Sequence, residues 1–199
     1  MAVFHVDHEH RLLYVETPKV GCTSIKHALA TLAGRCEGMP DELDAFHIWF
    51  GYQHRQPISA VLDKMARNYR DYFTFALVRD PIERWESFFY NKIAGRESND
   101  INEFANQFAK TRWANDPHGL PQHALIGDSL SLYSALLPIT QMSQLQTAIE
   151  SHIGKPFPIP ERNKSTRRES PGLQPSSRAI IREFYRGDFK LFGSLLPAT

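Results

Sequence analysis

The sequence contains little cysteine and no long apolar run. Cys22 and Cys36 are its two cysteines, too few for a disulfide framework or for a zinc site built on thiolates. No segment approaches the ~18 consecutive apolar residues that a membrane span needs, and the residues from Met1 to His10 are too polar for a signal peptide. These absences predict a cytoplasmic protein without a membrane anchor.

A large net charge of one sign is also missing. The chain has 23 Lys and Arg against 22 Asp and Glu, a net charge of +1, which argues against nucleic acid as a partner. The charge is nevertheless uneven, because nine basic and four acidic residues lie between Lys155 and Lys190. Such a segment is either a solvated face or part of an anion site.

What the sequence does contain is the composition of one ordinary globular domain. It has 199 residues, of which 42% are hydrophobic and 23% charged. At roughly 150 residues per domain, this length predicts a single domain over residues 1–199. Strand and helix patterns alternate along the chain, which indicates an α/β fold with a mostly parallel central sheet flanked by helices. Such folds bind their ligands at the carboxyl ends of strands.

Two strand-to-helix units are the clearest elements. The apolar runs Arg11–Glu16 and Tyr72–Val78 each predict a strand that ends in a turn and is followed by a helix. Further along, the patterns predict a short strand or buried turn at Ala45–Phe50 and a strand at Leu130–Ile139. The other predicted helices are Pro57–Arg67, Asp100–Lys110, Gln141–Ile153 and Ser176–Tyr185, and the prolines of Pro156–Pro175 predict a long functional loop.

The first turn runs from Lys19 to Ser24 and contains the residue types of an anion site. Gly21 allows close approach of the backbone, the lysine and two hydroxyls offer donors, and a helix start offers free N–H groups. The turn is not a Walker A loop, because Lys19 precedes Gly21 instead of following it. The pattern predicts phosphate or sulfate binding, and an ordinary helix cap is the alternative.

The second turn follows the strand Tyr72–Val78. Arg79 ends the strand, and Ser87 lies a little over two helical turns further on. A guanidinium group and a hydroxyl at this spacing can share one phosphate. The alternative is that Arg79 pairs with Asp80 or Glu83 and that Ser87 is a small residue chosen for close packing.

Taken together, the two turns resemble a pair of motifs found in one enzyme family. PKVGCTSIK, which begins at Pro18 and follows LLYVE, resembles the 5′-phosphosulfate loop of sulfotransferases, and VRDPIERWESFFYNK, which begins at Val78, resembles their 3′-phosphate motif. The resemblance is closest to the Golgi carbohydrate sulfotransferases of the HNK-1, chondroitin 4-O and heparan/dermatan 2-O type (sulfotransferase family 2). HGLPQ, ERNKS and FYRGDFKLFG, which begin at His118, Glu161 and Phe184, are similar to further segments of that family in the same order.

The resemblance implies a three-layer P-loop-like fold and an enzyme that uses 3′-phosphoadenosine 5′-phosphosulfate (PAPS). It implies transfer of the sulfuryl group to a hydroxyl of a carbohydrate, glycolipid or small-molecule acceptor, without a metal. Phosphoryl transfer is a close chemical analogue, in which positioning and charge neutralisation do most of the work. The catalytic electrophile would be Lys19. The donor-binding residues would be Lys19, Val20, Gly21, Cys22, Thr23 and Ser24 at the 5′ end, and Arg79 and Ser87 at the 3′-phosphate.

An acceptor hydroxyl also needs a base within hydrogen-bond reach. His47 is the favoured candidate, because His47-Ile48-Trp49-Phe50 is similar to the stretch that holds the base in the 2-O-sulfotransferase branch. A buried structural histidine is the alternative. The reserve candidates for the base are His54, His118, Glu42 and Asp44.

The basic loop Arg162–Arg168 is expected to cover the nucleotide, because related enzymes close such a loop over it. Lys164 and Arg167 would then contact the donor near its 3′-phosphate, and a solvated charged loop is the alternative. HVDHEH, from His5 to His10, looks superficially like a metal cluster, but no soft-ligand geometry elsewhere supports one. Cys22 is expected to be a small residue of the loop whose thiol remains open to alkylation, as thiols at helix starts are.

The chain departs from the Golgi members in one respect. Those enzymes have an N-terminal anchor, whereas this chain begins almost directly at its first predicted strand, which favours a soluble bacterial-type relative with a small acceptor site.

Two other functions are kept as alternatives. A P-loop kinase would need Mg²⁺ and a Walker pattern, and a catalytically inactive nucleotide-binding module would not need Lys19.

Overall fold

The computed structural model describes residues 1–35, 37–40, 43–51, 54–161 and 172–196. Within these residues one sheet has five strands in the order β3-β1-β2-β4-β5. The strands are β1 (Ala2–Asp7), β2 (Leu12–Glu16), β3 (His54–Gln56), β4 (Phe73–Val78) and β5 (Ala135–Pro138).

Helices connect and cover these strands. They are α1 (Cys22–Leu32), α2 (Leu43–Phe50), α3 (Ile58–Asn68), α4 (Pro81–Phe88), α5 (Ile101–Gln107), α6 (His123–Ile126), α7 (Met142–Ile153), α8 (Pro175–Phe184) and α9 (Arg186–Phe192). A π-helical turn, Phe89–Ile93, continues α4. None of the helices in the described ranges is long and apolar enough to cross a membrane.

The sheet is mixed, so the α/β class is confirmed and the mostly parallel sheet is not. Strand β1 pairs antiparallel with β2 and with β3, whereas β2 pairs parallel with β4 and β4 pairs parallel with β5. The antiparallel half arises because only four residues separate β1 from β2, which permits a hairpin but not a crossover helix. Asp7 stabilises that hairpin by accepting a hydrogen bond from the backbone N–H of His10.

The apolar core lies on both faces of the sheet, which explains why the central strands are apolar without alternation. Alternate side chains of a strand point to opposite faces. Tyr14 and Phe75 pack with residues of α1, α2 and α7, whereas Leu13 and Ala76 pack with residues of α3 and α6. A separate aromatic cluster around Trp85 joins α4, α5 and α8.

Several predicted elements need correction. Ala45–Phe50 is not a strand but part of helix α2, since Phe46 and Phe50 are one helical turn apart and both are buried in the core. The predicted strand Leu130–Ile139 is confined to β5, and the predicted last helix is followed by a further helix, α9. The two strand-to-helix units are confirmed, and Asp100, where a helix was predicted to begin, caps α5.

Candidate active site

The turn between β2 and α1 has an unusual backbone. Lys19 has a φ of 70° and Gly21 a φ of 82°, and the left-handed region costs free energy for a residue with a side chain such as lysine. Among the described residues no side chain caps α1, and its first turn has no acidic residue. The positive end of the α1 dipole is therefore not compensated by a cap side chain or a first-turn carboxylate.

The turn between β4 and α4 is built differently. The carboxylate of Asp80 accepts hydrogen bonds from the N–H groups of Ile82 and Glu83, each at 2.9 Å. Arg79 donates from Nε to Glu83 at 3.3 Å, which is one of the pairings expected if the arginine were structural. Ser87 is half-buried, and no described residue hydrogen-bonds its hydroxyl, so its role stays a prediction.

Lys19 lies in a group of positive charges that we call the cation cluster: Lys19, Arg79, Arg84 and Lys92. Burial is the largest effect that lowers the pKa of Lys19, to about 8, and the charges of Lys92, Arg79 and Arg84 lower it further. Among the described residues no carboxylate forms an ion pair with Lys19 or Lys92, whereas Arg79 is paired with Glu83. The two turns therefore bring their cations together, and the cluster carries excess positive charge.

Arg84 joins the two turns. Its side chain is fully buried and donates from Nε to the carbonyl of Pro18 at 3.0 Å, from Nη1 to Leu120 at 2.8 Å and from Nη2 to Pro117 at 3.2 Å. Sequence reasoning missed this residue. The signal was its position on the apolar face of α4, three residues after Pro81 and four before Phe88.

The segment from Asp116 to His123 is held against both turns. The side-chain amide of Gln122 accepts from the N–H of Arg79 at 2.9 Å and donates to its carbonyl at 2.8 Å. The N–H groups of Gln122 and His123 donate to the buried carboxylate of Asp188. This segment includes the HGLPQ motif, so the motif serves to lock the position of Arg79.

His118, a reserve candidate for the base, lies in this segment as half of a pair with Asp116. Its Nδ1 is 2.8 Å from Asp116 Oδ1, and its side chain is one-third exposed (34%). Burial is the largest effect on the pKa of His118 and lowers it, the hydrogen bond and charge of Asp116 oppose that, and the charges of Lys92 and Lys19 lower it. His118 is therefore near the cation cluster.

His47 lies on the other side of the first turn. Its Nε2 is 3.3 Å from the hydroxyl of Thr23, and its Nδ1 is 2.7 Å from the ammonium of Lys26. Lys26 is buried and donates to Glu16 at 3.0 Å. Burial opposes ionisation of Glu16, but the hydrogen bond from His5 and the charge of Lys26 outweigh it and lower the pKa of Glu16 to about 2.

Other predicted candidates lie elsewhere. His54 is in the edge strand β3, where its ring stacks on Phe4 at 4.8 Å. Asp44 lies in α2. Glu42, and the loop residues Lys164 and Arg167 with Arg162 and Arg168, lie outside the described residues.

The structure also bears on the predictions for the Cys22 thiol and for the segment HVDHEH. Burial is the main effect that raises the pKa of the Cys22 thiol, to about 11, and Glu16 raises it further. A thiol that stays protonated is a slow nucleophile, which argues against the alkylation considered for Cys22. Within HVDHEH, His10 pairs with Asp7, whereas His5 pairs with Glu16 of β2. The described ranges contain no group of three metal ligands.

Comparison with known proteins identifies the family of the chain. The profile of the Sulfotransferase family matches residues 3–125, which include both turns, His47 and His118. The chain belongs to the Sulfotransferase family. The family match ends before α7, α8 and α9.

Curated relatives of this sulfotransferase-family chain are carbohydrate sulfotransferases. Carbohydrate sulfotransferase 10 of Danio rerio is 35% identical over 89 residues, which are 43% of this chain and 24% of the relative. Carbohydrate sulfotransferase 11 of Rattus norvegicus is 27% identical over 99 residues (49% and 28%), and carbohydrate sulfotransferase 14 of Homo sapiens is 29% identical over 107 residues (52% and 25%). The alignments thus span about a quarter of each relative's length. No solved structure is significantly similar to the chain.

Proposed function

We propose that this chain transfers the sulfuryl group of PAPS to a hydroxyl of a carbohydrate, glycolipid or small-molecule acceptor. Membership of the Sulfotransferase family supports the reaction type, and the names of its relatives favour a carbohydrate acceptor. A P-loop-like arrangement, a single domain over residues 1–199 and a cytoplasmic location are parts of the same proposal.

The observation that carries the proposal is the convergence of two turns on one cation cluster. PAPS has an anionic group at each end of its nucleoside, a 5′-phosphosulfate and a 3′-phosphate. Lys19 comes from the turn after β2 and Arg79 from the turn after β4, and their charges interact. A cluster with excess positive charge lowers the free energy of a bound dianion more than that of a neutral ligand.

The first turn suits the end of the donor that reacts. The acceptor oxygen attacks sulfur, the bond between sulfur and the bridging oxygen breaks, and negative charge develops on the 5′-phosphate. We propose that the Lys19 ammonium stabilises that charge and that the turn Val20–Ser24 binds the phosphate through N–H groups and hydroxyls. No resident metal is part of this scheme.

The second turn suits the end of the donor that does not react. Arg79 has its backbone clamped by Gln122, so its side chain starts from a fixed position, and a guanidinium group binds phosphate through two parallel hydrogen bonds. We propose that Arg79 and Ser87 bind the 3′-phosphate. Lys164 and Arg167 are proposed to complete the nucleotide site.

A calorimetric titration with two nucleotides tests the donor site. 3′-Phosphoadenosine 5′-phosphate (PAP) and adenosine 5′-phosphate differ by the 3′-phosphate. Arg79→Ala should therefore weaken PAP binding by about 10- to 100-fold and leave the weaker binding of adenosine 5′-phosphate nearly unchanged. Arg67→Ala is the matched control, since Arg67 pairs with Asp63 on the exposed face of α3. Equal losses for both nucleotides would contradict the assignment of Arg79.

The same titration separates the rival functions. ATP binding that requires Mg²⁺ and exceeds PAP binding would favour a kinase. Tight PAP binding without transfer of label from sulfur-labelled PAPS to any sugar, glycolipid or small-molecule alcohol in a broad panel would favour an inactive nucleotide-binding module. Transfer that continues in the presence of a chelator is the expected result.

A further inference from the structure

Two histidines lie near the first turn, and their hydrogen bonds fix different tautomers. The Nδ1 of His47 faces the Lys26 ammonium at 2.7 Å. An ammonium has only donors, so Nδ1 must accept, and the neutral ring then carries its proton on Nε2. That Nε2 is directed to the hydroxyl of Thr23 at 3.3 Å. In this state His47 has no ring lone pair available to take a proton from an acceptor.

His118 has the opposite arrangement. Asp116 Oδ1 accepts from the backbone N–H of His118 at 2.9 Å and lies 2.8 Å from its Nδ1. A carboxylate has only acceptors, so the ring proton is on Nδ1 and the lone pair is on Nε2. A carboxylate behind Nδ1 also stabilises the imidazolium that forms when Nε2 takes a proton.

The backbone places His118 beside the proposed reacting end of the donor. Pro18 and Pro117 both accept hydrogen bonds from the guanidinium of Arg84, and they immediately precede Lys19 and His118. Gly119 follows His118 at a position where a larger residue does not fit, because a Cβ there would lie 2.0 Å from the carbonyl oxygen of Trp113. Its carbonyl accepts from the buried hydroxyl of Tyr185.

We propose that His118, oriented by Asp116, is the catalytic residue that takes the proton of the acceptor hydroxyl, and that His47 positions Thr23 in the donor loop. The proposal rests on the proposed function. As the acceptor oxygen forms its bond to sulfur, its proton passes to Nε2 of His118. The bond between sulfur and the bridging oxygen breaks, and its electron pair goes to the 5′-phosphate of PAP beside Lys19.

The surroundings of His118 suit a base that works near neutral pH. The titratable groups that act on it are Asp116, Lys92 and Lys19. The two lysines favour the neutral ring before reaction, whereas Asp116 compensates the charge of the imidazolium once the proton has arrived. The side chain is one-third exposed, so an acceptor from solvent can reach it.

The test compares His118→Ala, His118→Gln, Asp116→Asn and His47→Ala, with His152→Ala on the exposed side of α7 as the matched control. For each variant, PAP affinity is measured by calorimetry and turnover by transfer from labelled PAPS. We expect His118→Ala to lower kcat by about 10²- to 10⁴-fold while PAP affinity changes less than about threefold. The acid limb of the pH profile should disappear, and added imidazole should restore part of the rate.

Asp116→Asn distinguishes a base from a packing residue. An amide can present its NH₂ group to Nδ1 and so favour the wrong tautomer, which should lower kcat with little change in KM. His47→Ala should weaken PAP binding more than it lowers kcat, because its proposed role is to position Thr23. The control should match the parent in both measurements.

The failures of the two proposals are distinguishable. Absence of PAP binding and transfer in the parent protein would overturn the proposed function. Transfer by the parent together with a kcat within threefold of it in His118→Gln, or an acid limb that is lost in His47→Ala and kept in His118→Gln, would overturn the assignment of His118 alone. PAP affinity serves as the measure of folding for the His118 and Asp116 variants, and thermal unfolding does so for His47→Ala. His118→Gln decides if His118→Ala does not fold.

Discussion

The two strand-to-helix turns end neighbouring parallel strands, yet they offer an anion different groups. In the turn after β2, the start of α1 has no side-chain cap and no acidic residue among the described residues. In the turn after β4, the carboxylate of Asp80 occupies the N–H groups at the start of α4. An anion can therefore use the backbone at the first turn, whereas at the second turn it must use side chains.

Backbone strain follows the same division. Positive φ angles occur at Lys19 and Gly21 in the first turn, and none occurs from Arg79 to Ser87 in the second. A strained conformation persists where the surrounding structure imposes it, and here Arg84 holds the carbonyl of Pro18. The first turn is thus suited to stabilising a reacting group and the second to binding an anion. This difference matches the reacting and non-reacting ends of the proposed donor.

Removal of the Lys19 ammonium is the strongest test of this difference. Lys19→Ala should lower kcat for sulfuryl transfer by about 10²- to 10³-fold, or about 3 to 4 kcal/mol, because stabilisation of the leaving charge is lost in the transition state. PAP affinity should fall much less. Steady-state turnover and calorimetry measure the two effects, with Lys110→Ala, a substitution of an exposed lysine, as the control. A larger loss in affinity than in kcat would make Lys19 a binding residue like Arg79.

Removal of the Arg84 guanidinium, which joins the two turns, should lower the free energy of unfolding by nearly as much as removal of the Lys19 ammonium raises the activation barrier. Arg84→Met retains an unbranched apolar chain of similar length and leaves the carbonyls of Pro18, Pro117 and Leu120 without their buried donor. The free energy of unfolding in urea should fall by about 3 kcal/mol. In Arg67→Met, which removes an exposed arginine, it should change by less than about 0.5 kcal/mol. A small change in Arg84→Met would mean that the turns do not depend on this joint.

The contrast also shows what sequence reasoning could and could not reach. Both turns were predictable, since an apolar strand, a glycine or proline and a helical period are local signals. Strand β1 was missed because His5 and Asp7 interrupt its apolar pattern, although His5 is buried against Glu16. Ala45–Phe50 was misassigned because a short apolar run suits a buried strand and a buried helix equally.

The candidate site was only partly predictable for a similar reason. Lys19 and Arg79 lie in recognisable local motifs, so they were found. The contacts of His47 with Lys26 and of Arg84 with Pro18 join residues that are 21 and 66 positions apart. No local pattern encodes such contacts, and the preference for one histidine over another depends on them.

The pH dependence of the reaction gives a smaller effect that still separates the turns. The pKa of Lys19 is lowered to about 8, so the ammonium form is present below that pH and is lost above it. kcat/KM should therefore fall by about tenfold between pH 9 and pH 10, equivalent to about 1.4 kcal/mol. Lys19→Arg stays charged throughout this range, so its remaining activity should show no such limb. A limb that persists in Lys19→Arg would belong to another group.

The smallest predicted effect concerns the cap that distinguishes the second turn. Asp80→Ala removes the acceptor for two N–H groups of α4, and loss of such a cap costs about 1 kcal/mol of unfolding free energy. Asp80→Asn keeps an acceptor oxygen and should lose about half of that or less. If Asp80 only completes the helix, PAP affinity should stay within about twofold in both variants, because Arg79 remains clamped by Gln122. A tighter PAP complex in Asp80→Ala would instead show that the uncapped N–H groups of α4 bind the 3′-phosphate, and that the second turn can work as the first does.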